Sequence, residues 1–247
     1  AQVMQELATL TTRFAQNVLH DETDYQLVLR DEAELAGLPP FVRAAARQAA
    51  QDRGVEGAHV ITLSRSLIVP FLTFSARRDL REQAWRAWVG RGEHEGEHDN
   101  RPVARAILKL RREQARLHGY ASYADYALTD TMARERSAVQ RLFDEVWPRA
   151  LTALEREREA LQEAQQAAGA SGPIEAWDWR FWAEKVRVAR YAVDDAEIKP
   201  YFALPAMVEA AFDCAQRLFG LRFVARQYRS VDRRDGRAYG SRWAAGP

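Results

Sequence analysis

The pentad His-Glu-Gly-Glu-His at positions 94 to 98 has the spacing of the zinc-binding motif H-E-x-x-H. In that motif two histidines one helical turn apart bind zinc, and the glutamate between them acts as a general base. Zinc is held at Zn–N distances of about 2.0–2.1 Å in tetrahedral geometry, so both imidazoles must come from one rigid helix. Whether the pentad can bind zinc therefore depends on whether residues 94 to 98 are helical.

Glycines argue against a helix across the pentad. Gly92 precedes it and Gly96 lies inside it, and each glycine costs about 1 kcal/mol of helix propensity relative to alanine. A helix-start signal follows at once, because Asp99 or Asn100 can cap and Pro102 suits a first turn. We therefore predict that the pentad lies in a charged interhelical loop, with a zinc site as the alternative.

No other residues complete a catalytic or metal constellation. Glu113, a candidate third zinc ligand, is one of many glutamates on a polar helical face, and Cys214 on an apolar helical pattern is expected to be a small core residue. The remaining histidines have no partner at ligand spacing: His20, His59 and His118. We therefore assign no catalytic residue and no metal ligand, and the substrate-binding residues stay unknown.

Composition excludes some classes of partner. The chain has 247 residues, 47% of them hydrophobic, and a formal net charge of +1, so its charge does not favour nucleic acid or an anionic membrane as a partner. Most arginines are expected on solvated helix faces. No stretch reaches the roughly 18 apolar residues of a membrane span. A single cysteine suits a reducing compartment, and we predict a cytoplasmic protein.

Apolar periodicity predicts an all-α fold with at most one short strand, at residues 59 to 64. The longest predicted helix starts at Ser137, bends at Pro148, and has a polar, exposed second half. Apolar residues at steps of three and four predict helices over 3–19, 41–51, 77–91, 99–117, 137–168, 179–193 and 204–219.

Residues 177 to 185, "WDWRFWAEK", concentrate aromatic side chains. The first interpretation is a core helix in which Trp179 and Trp182 pack, with three polar residues facing water: Glu184, Lys185 and Arg187. The second interpretation is a helix that lines a peptide-sized cleft. Spacing alone does not separate the two.

The order of several sequence blocks resembles the thimet oligopeptidase-like zinc peptidases, most of all the bacterial peptidyl-dipeptidase and oligopeptidase A branch. The blocks begin with "DNRPVARAILKLRREQARLHGY" and end with "LFGLRF", at residues 99–133, 143–151, 177–204 and 218–223. The resemblance covers roughly residues 1–223. We therefore divide the chain into a helical region, 1–223, and an irregular basic tail, 224–247.

This resemblance implies a helical, two-lobed enzyme whose deep channel admits short, unstructured peptides. In such enzymes zinc sits on an H-E-x-x-H helix, with a further glutamate from the next helix, and activates water. That helix lies well beyond "LFGLRF" in the family, and this sequence ends before it. The pentad at 94–98 matches no family ligand position, so we expect no zinc in this chain and no hydrolysis by it alone.

The sequence departs from the family pattern in several places, which weakens the transfer of the family's residue roles to this chain. Phe181 and Trp182 replace a common pair of tyrosines, and Ser64 and Ser66 replace two landmarks of a Thr-Leu-Asp-x-Pro stretch. The tail also lacks the expected His-Pro-Asp block, which a deletion, a frameshift or a truncation would explain. Apolar faces left uncovered are expected to cause self-association. A non-catalytic helical scaffold or peptide-binding module is the alternative function.

Overall fold

The computed structural model describes residues 1–192, 198–227 and 237–243. The chain forms two compact units, Ala1–Arg190 and Tyr191–Pro247. Helices account for most of the described residues, so the all-α class is confirmed. The division expected at residue 223 marks where the family resemblance ends and stays a prediction. No helix in the described ranges is both long and apolar enough to cross a membrane.

The first unit begins with a long helix, which is followed by the first strand of a short antiparallel pair. Helix α1 (Gln2–Asp24) leads into strand β1 (Leu27–Leu29). This strand pairs antiparallel with β2 (His59–Ile61), which places Leu27 opposite Ile61. The sequence predicts β2, which lies in the strand-like run at residues 59 to 64, but not β1, whose three residues belong to no such run.

Three helices build the main core around this strand pair. They are α2 (Pro40–Asp52), α3 (Arg65–Phe74) and α4 (Arg78–Val89). The sequence predicts α2 and α4 but not α3, since a run that is apolar all round lacks the one-sided pattern of a surface helix. The side chains of this core that are essentially inaccessible to solvent are Leu29, Val42, Ala46, Ile61, Leu63, Ile68, Phe71, Leu72 and Ala84.

Helix α5 (Asn100–Leu117) lies along α1 and begins where the sequence predicts. The side chain of Asp99 caps it by accepting a hydrogen bond of 2.9 Å from the backbone N–H of Arg101. A short helix, α6 (Tyr123–Leu128), follows after its own cap at Ser122. The apolar contact between α1 and α5 is made by Val3, Leu7, Leu10, Val103, Ile107 and Leu110.

Helix α7 (Arg136–Ala167) runs through Pro148 without interruption and is followed by α8 (Trp179–Tyr191). Near its end α7 buries Leu161 and Gln165. Apart from these two residues the polar second half is mostly exposed, as predicted, but the apolar first half is exposed as well. Apolar periodicity shows that a face needs cover but does not show which segment supplies it.

The second unit contains a 3-10 helix (Lys199–Phe202), helix α9 (Leu204–Phe219) and two strands. As predicted, α9 ends at Gly220, which adopts the left-handed conformation with φ of +68°. Strand β3 (Leu221–Gln227) pairs antiparallel with β4 (Arg237–Trp243).

Two expectations about this unit are wrong. Residues 224–227 and 237–243 form strands and are not irregular as predicted, because their apolar and polar residues show no sustained alternation that would signal a strand. Cys214 is exposed and not a core residue, because α9 buries no side chain in the part that the structure describes. The expected helix position Val193 and the tail residues 228–236 and 244–247 lie outside the described residues.

Two phenylalanines give a matched test of where the core lies. Phe71 is 0% exposed in α3, and Phe143 is 54% exposed in α7. We expect Phe71→Ala to lower the free energy of unfolding by about 3–5 kcal/mol because it leaves a cavity. We expect Phe143→Ala to change it by less than about 0.5 kcal/mol. Urea unfolding followed by circular dichroism measures both, and losses of similar size would contradict this placement of the core.

Candidate functional site

The pentad at residues 94–98 lies in the loop between α4 and α5. Gly92 and Gly96 have φ angles of +75° and +128°, outside the helical region. The predicted loop conformation is therefore confirmed. The two imidazoles of the pentad are not presented one turn apart on a helix.

Both pentad histidines contact α1. The ring of His98 stacks on that of His20 with centroids 3.8 Å apart, and its Nδ1 lies 3.3 Å from Oδ1 of Asn17. The Nε2 of His94 lies 3.8 Å from Oδ2 of Asp21. Sequence spacing does not reveal this contact between His20 and His98. The imidazoles hold the loop against α1.

Two buried asparagines complete this attachment. Asn17 donates from Nδ2 to Oδ1 of Asn100 at 2.9 Å, and Asn100 donates from Nδ2 to the carbonyl of Phe14 at 3.0 Å. The backbone N–H of Asn100 donates to the carbonyl of Gly92 at 2.7 Å, and that of Gly92 donates to Asp21 at 2.6 Å. These bonds satisfy buried polar groups and fix the start of α5 on α1.

A buried carboxylate lies just before α8. The side chain of Asp178 is 0% exposed and accepts hydrogen bonds of 2.8 Å from both Arg78 and Arg81 of α4. Arg81 also donates to the carbonyls of Ser75 and Trp177, at 2.7 and 3.2 Å. Arg81 is itself buried, an exception to the expectation that most arginines lie on solvated helix faces. A buried guanidinium is tolerated here because every side of it meets an acceptor.

The same carboxylate affects its two arginines differently. Burial lowers the pKa of the Arg81 guanidinium below its ordinary value, and the hydrogen bond to Asp178 acts in the opposite direction. For Arg78, which is half exposed, that hydrogen bond dominates and raises the pKa. Both arginines stay charged near neutral pH, because the pKa of a guanidinium group lies far above neutrality.

The aromatic segment of α8 matches the core-helix interpretation in part. Trp182 is buried and Trp179 is partly buried, while Lys185 is exposed as expected. Glu184 and Arg187 are partly buried and form an ion pair at 2.8 Å, so they are not simply facing water. This face of α8 serves packing.

A cleft of about 540 Å³ opens between α1, α2 and the turn from β2 to α3. Thr62, Ser64 and Ser66 line it with a row of hydroxyls, in which successive oxygens lie 3.0 and 3.4 Å apart. Asp52 and Arg53 add charged groups. The volume falls within the range of small-ligand pockets, about 300–1,000 Å³. The hydroxyl row can hydrogen-bond a polar ligand, but the hydroxyls contact one another, with no imidazole beside them as a base.

The sequence of the chain matches the model of a known protein family. The model of the family described as Peptidase family M3 matches residues 71–245, well over half of the chain. The chain belongs to peptidase family M3. The resemblance to the thimet oligopeptidase-like zinc peptidases is therefore confirmed.

M3 relatives include plant and bacterial oligopeptidases. The chain is 33% identical to "Probable cytosolic oligopeptidase A" of Arabidopsis thaliana over 231 residues, which is 90% of this chain and 32% of that protein. It is 34% identical to "Dipeptidyl carboxypeptidase" of Salmonella typhimurium over 222 residues, 90% of this chain and 33% of the relative. "Oligopeptidase A" of Escherichia coli is 30% identical over 235 residues, 94% and 34% of the two chains. The chain thus spans about a third of these relatives.

The described part of this M3 chain does not fit a zinc site. In the ranges 1–192, 198–227 and 237–243, no group of three or more His, Cys, Asp or Glu side chains is arranged to hold a metal. His94 and His98 are directed at different partners on α1, and Glu113 is exposed on α5. No step of hydrolysis is therefore assigned to these residues, and the absence of a metal ligand from the whole chain stays a prediction.

The sequence analysis misses the polar residues that matter most for packing. Asn17 falls on the apolar stripe of α1, three residues after Phe14, and a polar residue in such a stripe is the one signal that could reveal it. Arg81 and Asp178 give no comparable signal, because their partners are almost a hundred residues apart.

Gly92→Ala tests the attachment of the pentad loop. An added Cβ would lie 2.7 Å from Nδ2 of Asn100, whereas at Gly54 it would meet nothing within 4 Å. Both positions have positive φ, so we expect Gly54→Ala to cost about 1–2 kcal/mol from backbone strain alone. Gly92→Ala should cost at least about 1 kcal/mol more, because it disturbs buried hydrogen bonds. Equal losses in chemical denaturation would contradict the network.

Asp178→Ala tests the buried ion pair. It leaves Arg81 buried without its carboxylate, and we expect a loss of about 3–5 kcal/mol in the free energy of unfolding. The matched control is Asp79→Ala, whose carboxylate pairs with Arg77 but is 63% exposed; we expect its loss to stay within about 1 kcal/mol. Denaturant unfolding measures both variants. A loss at Asp178 no larger than at Asp79 would show that the pair contributes little.

Proposed function

We propose that this chain is a helical wall of a zinc-dependent oligopeptidase or peptidyl-dipeptidase that hydrolyses short peptides. The observation that carries the proposal is the match to peptidase family M3 over residues 71–245. Relatives named oligopeptidase A and dipeptidyl carboxypeptidase support the substrate class. Because the chain spans about a third of those relatives, the activity belongs to a longer protein, and this chain contributes walls of the channel.

We propose further that this chain alone does not hydrolyse peptides. In the longer enzyme zinc would activate water and polarise the scissile carbonyl. Here the pentad histidines are engaged with His20, Asn17 and Asp21, in a loop. The role of this chain is therefore to position other elements, with zinc and its ligands supplied elsewhere.

A non-catalytic scaffold or peptide-binding module is the second candidate function. The cleft of about 540 Å³ beside Thr62 and Ser64 favours it, because a hydroxyl row with a charged rim can bind polar or peptide ligands without chemistry.

For the partners of the chain, we propose short peptides and, in isolation, weak self-association through exposed apolar side chains. A formal net charge of +1 gives no support for nucleic acid or a membrane surface as a partner. We propose a cytoplasmic location, supported by the cytosolic Arabidopsis relative, although another relative from the same plant is named organellar.

Hydrolysis of a short fluorogenic peptide tests the proposal. The purified chain is assayed with added zinc, with a chelator, and as His94→Ala. We expect no turnover above the buffer background in any sample. Chelator-sensitive turnover that is lost in His94→Ala would overturn the claim that this chain is inactive alone.

Calorimetric titration with the same peptide separates the two candidate functions. Micromolar binding without turnover would favour the binding module. Absence of both binding and turnover would favour the channel-wall proposal.

A further inference from the structure

The first half of α7 carries a stripe of large apolar side chains that are about half exposed in the part of the chain that the structure describes. Six of them are between 45% and 61% exposed: Leu142, Phe143, Val146, Trp147, Leu151 and Leu154. We call this set the α7 stripe. Further along the helix Leu161 and Gln165 are buried, so the same helix is packed at one end and bare at the other.

The α7 stripe is one-sided. Its members recur at steps of three and four, which places them on one face of the helix. The opposite face carries polar and charged side chains such as Arg141, Glu145 and Thr152, which are exposed as well. A helix with one apolar face is built to pack against something on that face only.

The size of the stripe indicates a protein interface. Six large side chains, each about half exposed, amount to several hundred Å², at or above the roughly 300–600 Å² of the largest apolar patch on a typical monomer. Trp147 lies near its middle. Tryptophan is enriched among the residues that dominate binding energy, and such residues cluster near the centre of an interface.

A second copy of the chain is a poor occupant. From Leu142 to Leu154 the stripe spans 13 residues, which is about 20 Å of helix at 1.5 Å per residue. This is less than two heptads, short of the three or four sustained heptads that signal a coiled coil. The sequence therefore gives no indication that two α7 helices pair.

The M3 relatives point to a better occupant. The family match covers the whole of α7, so the stripe belongs to the part of the chain shared with the family. About two thirds of each relative lies outside the matched region. That additional polypeptide accompanies this helix in each full-length relative.

We propose that the α7 stripe is the docking surface for the M3 polypeptide that lies outside the matched third, the part that carries the zinc-binding helix in our proposed function. The inference rests on that function and names the partner of this wall. Docking covers Phe143 and Trp147 and replaces self-association.

Co-expression tests this docking. The full chain is produced together with the stretch of Escherichia coli oligopeptidase A that follows the matched region, and complexes are measured by affinity capture and sedimentation. The stripe variant is Val146→Glu. The matched control is Thr152→Glu, which adds the same charge to the opposite face. Circular dichroism checks that both variants keep their helix content.

We expect a 1:1 complex with the wild type and with Thr152→Glu, and association weakened about tenfold or more by Val146→Glu. Equal association of all three chains would overturn the proposal. So would the absence of any complex, whether the chain is then monomeric or forms a homodimer that Val146→Glu dissociates.

Peptide hydrolysis by the same samples separates this inference from the proposed function. A stripe-dependent complex without hydrolysis supports the docking surface and contradicts the peptidase proposal. Hydrolysis that is insensitive to Val146→Glu supports the peptidase proposal and contradicts the docking surface.

Discussion

The buried carboxylate of Asp178 is the interaction on which the organisation of the first unit depends. After α4 the chain leaves the main core for α5, α6 and the long α7, and it returns to α4 where Asp178 meets Arg78 and Arg81. Apolar contacts are not directional and would not fix the segment at one place along α4. The carboxylate of Asp178, which is 0% exposed, makes directional hydrogen bonds to two guanidinium groups and therefore fixes it. The returning segment is thereby fixed, and Trp177 packs against Trp85.

A second set of buried polar contacts fixes the chain where it leaves the main core, at the start of α5. Asn17 and Asn100 are buried and bonded to each other, and the loop before α5 is held by Asp21 of α1. The pentad belongs to this attachment. Its histidines stack on or approach α1, so a sequence with the letters of a zinc motif here serves to join two helices. Glycine geometry separates the two uses, because a motif that needs a helix cannot operate with a φ of +128° at Gly96, inside the pentad.

The sequence predicts most of the helices but few of the contacts between them. Helices α2 and α5 carry one-sided periodicity with recognisable starts at Pro40 and Asp99, and these signals are local. Helix α3 contains an unbroken apolar run from Leu67 to Leu72 and so shows no one-sided helical period, and the three residues of β1 belong to no longer strand-like run. The pairs Asn17–Asn100 and Arg81–Asp178 join distant parts of the chain and leave no local pattern. Periodicity also marks the apolar face of α7, but only the structure shows that the face is bare.

The most direct test is the number of zinc ions bound per chain. It tests the claim that the pentad connects α1 to the loop before α5 and that any reactive centre lies in other polypeptide. The purified full chain and His94→Ala are desalted after incubation with zinc, and bound metal is counted by atomic emission. We predict well below one zinc per chain, with no difference between the two proteins. One tightly held zinc per chain that disappears in His94→Ala would contradict the claim.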